Sequence, residues 1–188
     1  MQQLWQAWYG GMDPNWITTI ESRAKHLPSD KGRMGLQNDN ENEQIRRSEV
    51  RWFNTGTGNE DIFDLLWYYV TTANKNAFGA DIWDIPYIQH SVYNADEYAH
   101  YDWHCDVFWE NPAPFDRKLS LVVQLSNSDE YEGGDFQFNG GFPCPDPVRL
   151  REKGSVIVFP SFLEHRVTPV TAGVRRSLVA WVEGPSWR

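Results

Sequence analysis

The chain has 188 residues, is 40 % apolar and 15 % aromatic with ten tryptophans, and carries a formal net charge of −9. That composition supports one domain with a sizeable core and excludes a disordered or low-complexity chain. The acidic balance argues against broad attraction to a nucleic-acid backbone, and no apolar run approaches the length of a membrane span.

The N-terminus, MQQLWQAWYGG, has neither a basic leader nor a continuous apolar stretch, so no signal peptide is expected. Asp13 then stands as a helix cap before Pro14, and Trp16, Ile17, Ile20 and Ala24 recur at helical spacing until Pro28. The polar run over 29–44 reads as an exposed loop, and RRSEVRWF as a short strand. NEDIFDLLWYYVTTANKNAF predicts a second helix, capped by Asn59 or Asp61, with Ile62, Leu65, Leu66, Tyr69 and Val70 forming one stripe. Beyond residue 84 the pattern changes to short alternating runs separated by Gly, Pro and Asn: YIQHSVY, KLSLVVQLS, DFQF, GSVIVFP, EHRVTPV and RRSLVAWVE. Such spacing predicts a β-sandwich or barrel. Helices first and strands after argue an α+β chain, with the helices covering one face of a sheet. The expected organisation is a single domain over 1–188. Residues 1–84 form a mixed, mainly helical support, and 85–188 the strands that carry the site. Cys105 and Cys144 are the only cysteines, too few for a disulfide framework, so a reducing, cytoplasmic setting is expected.

The stretch AHYDWHCDVF, residues 99–108, holds His-X-Asp twice. If it is one regular strand, His100, Asp102, His104 and Asp106 share a face, and Tyr101, Trp103 and Cys105 share the other. The apolar face would pack on helices. Four residues along a strand cover roughly 13 Å, so the two His-X-Asp pairs cannot serve one ion. His165 follows the apolar run Val156 to Phe159. A histidine and aspartate from one strand with a second histidine from elsewhere make a two-histidine, one-carboxylate set, which leaves coordination positions open and suits non-haem Fe(II). Thr171-Ala172-Gly173 reads as a hairpin turn. Pairing across it would set His165 opposite Val179 and put His165, Arg175, Ser177 and Trp181 on one face, with Arg176 on the other. Arg175 there could hold a carboxylate in bidentate fashion, with Ser177 adding a hydrogen bond.

The chain resembles the Fe(II)/2-oxoglutarate-dependent dioxygenases, in particular the prolyl 4-hydroxylase-like branch with its small bacterial and phage members. The resemblance rests on YDWHCD, RKLSLVVQLS, YEGGDFQF and GSVIVFPSFLEHRVTPVTAGVRRSLVAWV, and less specifically on RRSEVRWF and ANKNAFGADIW. It implies a double-stranded β-helix (jelly-roll) core with N-terminal helices on one sheet. It implies Fe(II) on His104, Asp106 and His165, because the aromatic three residues before the ligand histidine is Tyr101 for His104 but would be Glu97 for His100. It implies that Arg175 and Ser177 bind the C5 carboxylate of 2-oxoglutarate. Tyr93 matches a tyrosine that reaches the cosubstrate, at an offset one residue longer than the family's. Gln124 stands where relatives place a tyrosine or threonine. Trp181 and Arg117 match residues that meet the substrate. The activity implied is hydroxylation coupled to decarboxylation of 2-oxoglutarate to succinate, using O2, with ascorbate as a reductant, on a prolyl residue of a peptide or protein partner. Alternatives are the same chemistry on a free amino acid, small metabolite or nucleobase, a non-catalytic jelly-roll binding module, or a cupin-type metal hydrolase or isomerase.

Overall fold

The computed structural model describes residues 3–32, 42–110 and 112–187. Most of the polar run over 29–44, and Asn111 in the loop after the His-X-Asp segment, lie outside the described residues. The elements in chain order are β1 (Gln6–Trp8), α1 (Pro14–Ala24), β2 (Asp30–Lys31), β3 (Arg46–Arg47), β4 (Glu49–Asn54) and α2 (Glu60–Ala73). There follow β5 (Tyr87–Asn94), β6 (His100–His104), β7 (Phe115–Gln124), β8 (Tyr131–Gly133), β9 (Phe136–Phe138), α3 (Pro147–Leu150), β10 (Val156–Pro160), β11 (His165–Val167) and β12 (Val170–Pro185). α1 begins as its sequence predicts: Pro14 occupies the first turn and the Asp13 carboxylate accepts from the Asn15 amide at 2.7 Å. α2 follows Asn59, whose side chain makes no capping bond to the helix. Gly79, at φ 61°, ends the π-helical turn that continues α2.

The strands form two antiparallel sheets. The larger runs β1-β10-β7-β12-β5-β4-β2, with β8 paired to the start of β12; the smaller runs β3-β6-β11-β9. The N-terminal part therefore contributes β1 and β4 to the main sheet as well as two helices. Alternation along β12 sorts its side chains. Leu178, Ala180 and Val182 join Ile17 and Ile20 of α1 and Ile62 and Leu66 of α2 in one fully buried cluster. Arg175, Ser177, Val179 and Trp181 face the other way, toward the smaller sheet. A second cluster, Val122, Phe138, Ile157, Phe159 and Leu163, fills the space between the sheets.

Three sequence expectations need correction. Residues 171–173 are not a hairpin turn. β12 runs unbroken from Val170 to Pro185, pairing first with β8 and then with β5 and β7, while β11 pairs with β6 and β9. Gly173 is required by close approach, because a Cβ at its φ of +70° would collide with the Glu130 carbonyl oxygen. His165 accordingly lies across from His104, not Val179. Second, β6 is not evenly alternating. His165 pairs with His104 but Val167 with Tyr101, so three residues of β11 lie opposite four of β6. That bulge shifts the parity and brings Tyr101 to the face of His104, their rings stacked at 3.4 Å between centroids. Third, helices cover the larger sheet, so the odd residues of β6 do not pack on them. Trp103 instead lies beneath Arg166, 4.4 Å from its ring centroid.

α1 is also tied to the sheet by charge. Glu21 lies 3.2 Å from Arg176 Nε and 3.5 Å from His90 Nε2, and Arg176 reaches Glu130 at 2.6 Å. Burial opposes ionisation of Glu21, but His90 and Arg176 outweigh it and hold the carboxyl below its ordinary 4.5. A lowered carboxyl contributes stability above its unfolded value and loses it as pH falls through the folded one. Glu21→Gln is therefore expected to cost about 1 kcal/mol near neutrality and to flatten the stability loss below pH 4.5, measured by urea unfolding across pH. Parallel acid limbs for the two proteins would rule this out.

Candidate active site

The end of β6 and the start of β11 meet across the smaller sheet, which places His104 beside His165 with ring centroids 4.2 Å apart. Asp106 lies beyond the strand end, in a bend whose amide donates to the Ser161 carbonyl at 2.9 Å. That bend turns the carboxylate between the rings: Oδ1 is 3.7 Å from His104 Nε2 and Oδ2 is 3.6 Å from His165 Nε2. One ligand atom from each residue lies within 4.8 Å of the others. Among the described residues this is the group of three or more such side chains with ligating geometry.

Each imidazole is oriented by its own chain. His104 Nδ1 contacts the Asp102 carbonyl at 2.7 Å and His165 Nδ1 the Leu163 carbonyl at 2.9 Å. A carbonyl can only accept, so both Nδ1 atoms carry the proton and both Nε2 lone pairs point at the shared centre. Burial, with His165 alongside, pushes His104 down to about 3. It therefore stays neutral at neutral pH, with Nε2 free to meet a metal. Burial opposes ionisation of Asp106, but the two histidines, Arg117 and the Ser120 hydroxyl hold its carboxyl below the usual range. Ser120 donates to Asp106 Oδ2 at 2.6 Å and shares a 2.9 Å contact with Ser161. Such outer partners fix ligand orientation. Ser120→Ala is expected to weaken Fe(II) binding by about 10-fold with the fold intact, read by anaerobic metal titration beside a thermal melt. Unchanged affinity would show that Ser120 does not orient Asp106.

The same cavity is lined by Gln89, Tyr93, Arg175, Ser177, Val179 and Trp181 from the larger sheet. Arg175 is 3 % exposed, and its Nη1 has no hydrogen-bond partner in the structure. Its guanidinium lies 5.5 Å from the Tyr93 ring centroid, and none of the ion pairs among the described residues includes it. A buried, unpaired guanidinium is costly unless it meets an anion. The donor set of three Nε2 and carboxylate ligands, with this unpaired cation in the same cavity, fits a metal and a dicarboxylate together.

Sequence-predicted residues separate clearly here. His104, Asp106, His165, Tyr93, Arg175, Ser177 and Trp181 line one cavity. Gln124 does not. Its amide donates to the Ser126 carbonyl and the Tyr131 hydroxyl, at 3.2 and 3.1 Å. Arg117 sits behind Trp181, 4.1 Å from its ring centroid, and donates to the Tyr87 hydroxyl at 2.7 Å. A register shift explains its position: Val182 pairs with Leu119 but Glu183 with Arg117, so Lys118 is the extra residue and Arg117 turns inward. His100 and Asp102 are outside the cavity. His100 contacts the Tyr98 and Gln44 carbonyls at 2.9 and 3.0 Å, and Asp102 is exposed. Lining residues not assigned to the site from the sequence are Gln89, Tyr101, Val122, Phe136, Val167 and Val179; alternation on YIQHSVY would have put Gln89 on the face of Tyr93.

The sequence profile of the 2OG-Fe(II) oxygenase superfamily matches residues 88–183, about half of the chain. The chain belongs to the 2OG-Fe(II) oxygenase superfamily. The matched span holds every cavity residue named above. Among curated proteins, a PKHD-type hydroxylase of Synechococcus sp. (strain CC9311) is 34 % identical over 83 residues, covering 44 % of this chain and 36 % of that protein. Another, from Synechococcus sp. (strain CC9605), is 38 % identical over 87 residues with the same coverage. The chain thus spans about a third of the length of the curated relatives it matches. The fold is that of solved oxygenase structures, the jelly roll. A Pseudomonas putida prolyl-4-hydroxylase superposes with a TM-score of 0.72 at 18 % identity, covering 97 % of this chain and 94 % of that one. The viral collagen prolyl hydroxylase of Paramecium bursaria Chlorella virus-1, in a 2OG complex, gives 0.69 at 17 % identity, with 97 % of both chains covered. For this superfamily Fe(II) and 2-oxoglutarate are the cofactors that the His104–Asp106–His165 group and Arg175 fit. No helix among the described residues is long and apolar enough to cross a membrane.

Proposed function

We propose that this chain is an Fe(II)- and 2-oxoglutarate-dependent hydroxylase. The observation that carries the reading is the His104–Asp106–His165 group sharing one buried cavity with the unpaired guanidinium of Arg175. His104, Asp106 and His165 would hold the metal and leave one side of it open. Arg175, with Ser177 and Tyr93 beside it, would bind the distal carboxylate of 2-oxoglutarate. When bound, the metal and cosubstrate supply O2 reduction coupled to decarboxylation, giving succinate, CO2 and an oxidant able to hydroxylate an unactivated C–H. The chain's own work is positional. The Nδ1–carbonyl contacts keep the Nε2 atoms aimed, Ser120 steadies Asp106, and Tyr101 stacks on His104 and shuts one side of it to water.

We further propose a prolyl residue of a peptide or protein as substrate. Trp181, Tyr87 and Trp52 form an aromatic wall with ring centroids 5.3 to 6.2 Å apart, and Arg117 lies against it. A pyrrolidine ring packs well on such faces, and an arginine can hold a peptide carbonyl. One similar structure, from Trichoplax adhaerens, is a prolyl hydroxylase in complex with a peptide fragment of hypoxia inducible factor, with a TM-score of 0.71 at 16 % identity. The free thiols Cys105 and Cys144 support a reducing, cytoplasmic setting, and ascorbate would serve to keep the metal reduced. The test is anaerobic loading with Fe(II) and 2-oxoglutarate, then an O2 pulse with a proline-containing peptide library. Succinate formation with a mass gain of one oxygen on a peptide is expected. Succinate formation that no peptide stimulates would remove the prolyl assignment, and no succinate at all would remove the enzymatic one.

A further inference from the structure

Gln89 is 2 % exposed and lines the cavity, yet its Oε1 has no hydrogen-bond partner. Its Nε2 donates to Ser91 Oγ at 2.6 Å. With the amide in that orientation the hydroxyl of Ser91, itself fully buried, has no acceptor among the hydrogen bonds of the described residues, and Oε1 has no donor. Amide oxygen and nitrogen are distinguished by their hydrogen bonds, so the opposite orientation must be weighed. Turned over, the Ser91 hydroxyl donates to Oε1 and both groups are satisfied. What remains is an amide NH2 directed at the cavity.

Register shows what that NH2 would meet. On β12 the inward rows are Arg175, Ser177, Val179 and Trp181, paired on β5 with Tyr93, Ser91 and Gln89 for the first three. On β7, Val122 pairs with Val179, and Ser120, which holds Asp106, pairs with Trp181. A ligand anchored at Arg175 and chelating a metal on His104, Asp106 and His165 must pass the row of Val179, Val122 and Gln89. Gln89 is the polar side chain of that row. With its amide turned over, the unpartnered buried atoms of the cavity away from the three ligand side chains are all donors: Arg175 Nη1, Gln89 Nε2 and Trp181 Nε1. A donor-only wall suits an acceptor-only ligand, and 2-oxoglutarate, a dianionic keto diacid, is one.

We propose that Gln89 is a cosubstrate-binding residue: its amide, held by the Ser91 hydroxyl through Oε1, donates Nε2–H to a 2-oxoglutarate oxygen on the metal side of Arg175. This rests on the hydroxylase reading above. The test is anaerobic titration of the Fe(II)-loaded protein with 2-oxoglutarate, followed by the visible charge-transfer absorption of an Fe(II)–keto acid chelate. Wild type, Gln89→Leu, Gln89→Glu and Ser91→Ala are compared, with metal affinity and a thermal melt for each. Gln89→Leu is expected to weaken 2-oxoglutarate binding about 10-fold with Fe(II) affinity unchanged. Gln89→Glu should weaken it more at neutral pH, where two anions face each other, and recover as pH falls and the new carboxyl becomes a neutral donor. A merely structural role for Gln89 would give no such recovery. Ser91→Ala, the least disruptive change, should lower affinity several-fold by freeing the amide. If wild type shows no absorption with 2-oxoglutarate, the hydroxylase reading fails. If wild type binds and Gln89→Glu and Ser91→Ala bind equally well at every pH, that reading stands and the Gln89 assignment is overturned.

Discussion

His165→Ala is expected to lose Fe(II) binding, with affinity falling at least about 100-fold and turnover of 2-oxoglutarate lost with it. The reason is geometric. His165 supplies one of three ligand atoms lying within 4.8 Å of one another, and nothing else in the cavity lining offers a replacement nitrogen, since His104 is already part of the set. The remaining His104 and Asp106 form a two-ligand site, open to solvent exchange and poor at holding a labile divalent ion. The substitution also removes a ring that packs on Phe159 at 4.9 Å and Phe136 at 5.5 Å, so some loss of thermal stability accompanies it. Equilibrium dialysis against Fe(II), with circular dichroism to confirm folding, separates the two effects. A folded His165→Ala protein that still decarboxylates 2-oxoglutarate at full rate would refute the ligand assignment.

Arg175→Ala should act on the cosubstrate and spare the metal. The guanidinium is 3 % exposed and its Nη1 has no partner in the structure, so its hydrogen bonds to an incoming carboxylate would form shielded from bulk solvent. Losing such charge-assisted bonds costs about 3 kcal/mol, or roughly 100-fold in 2-oxoglutarate affinity. Fe(II) affinity should be unchanged, because Arg175 touches none of the three ligands in the hydrogen bonds and ion pairs of the described residues. Arg175→Lys should restore little, since an ammonium cannot reproduce the planar fork. Wild-type cosubstrate affinity in the Ala protein would rule the role out. The pair of variants is diagnostic together: His165→Ala removes metal and, through it, cosubstrate, whereas Arg175→Ala removes cosubstrate alone.

Particular residues show how far the sequence could be read. Arg175, Ser177 and Trp181 share a face because they alternate on one strand, and period-two alternation is a local property. The route that joined them to His165 was wrong. A hairpin at 171–173 would have made β11 and β12 neighbours, but Gly173 serves the close approach of β8, and the histidine reaches the cavity from the opposite sheet. The right residues met through a different topology. Tyr101 shows the converse: strict alternation puts it opposite His104, and the bulge in β6 puts it on the same face. A bulge depends on how a partner strand pairs, so it leaves little trace in the strand that carries it. Gln124 and Gln89 sit on inward faces alike. Only tertiary contact with Tyr131 turns the first amide away, and its absence leaves the second facing the cavity.

By itself the sequence determined the chemistry available: which residues can ligate, which cation can meet a carboxylate, and which strands alternate. These follow from residue type and short-range periodicity, which the covalent chain carries. The resemblance carried by YDWHCD pointed to His104 and Asp106, and only the tertiary structure decided how that pair meets His165. His104 and Asp106 meet it because β6 and β11 pair at His104 and the chain then bends at Asp106 under the Ser161 carbonyl. His100, four residues back, is held by the Tyr98 and Gln44 carbonyls outside the cavity. Alternation made the two pairs equivalent, and long-range strand pairing, which no local pattern encodes, separated them.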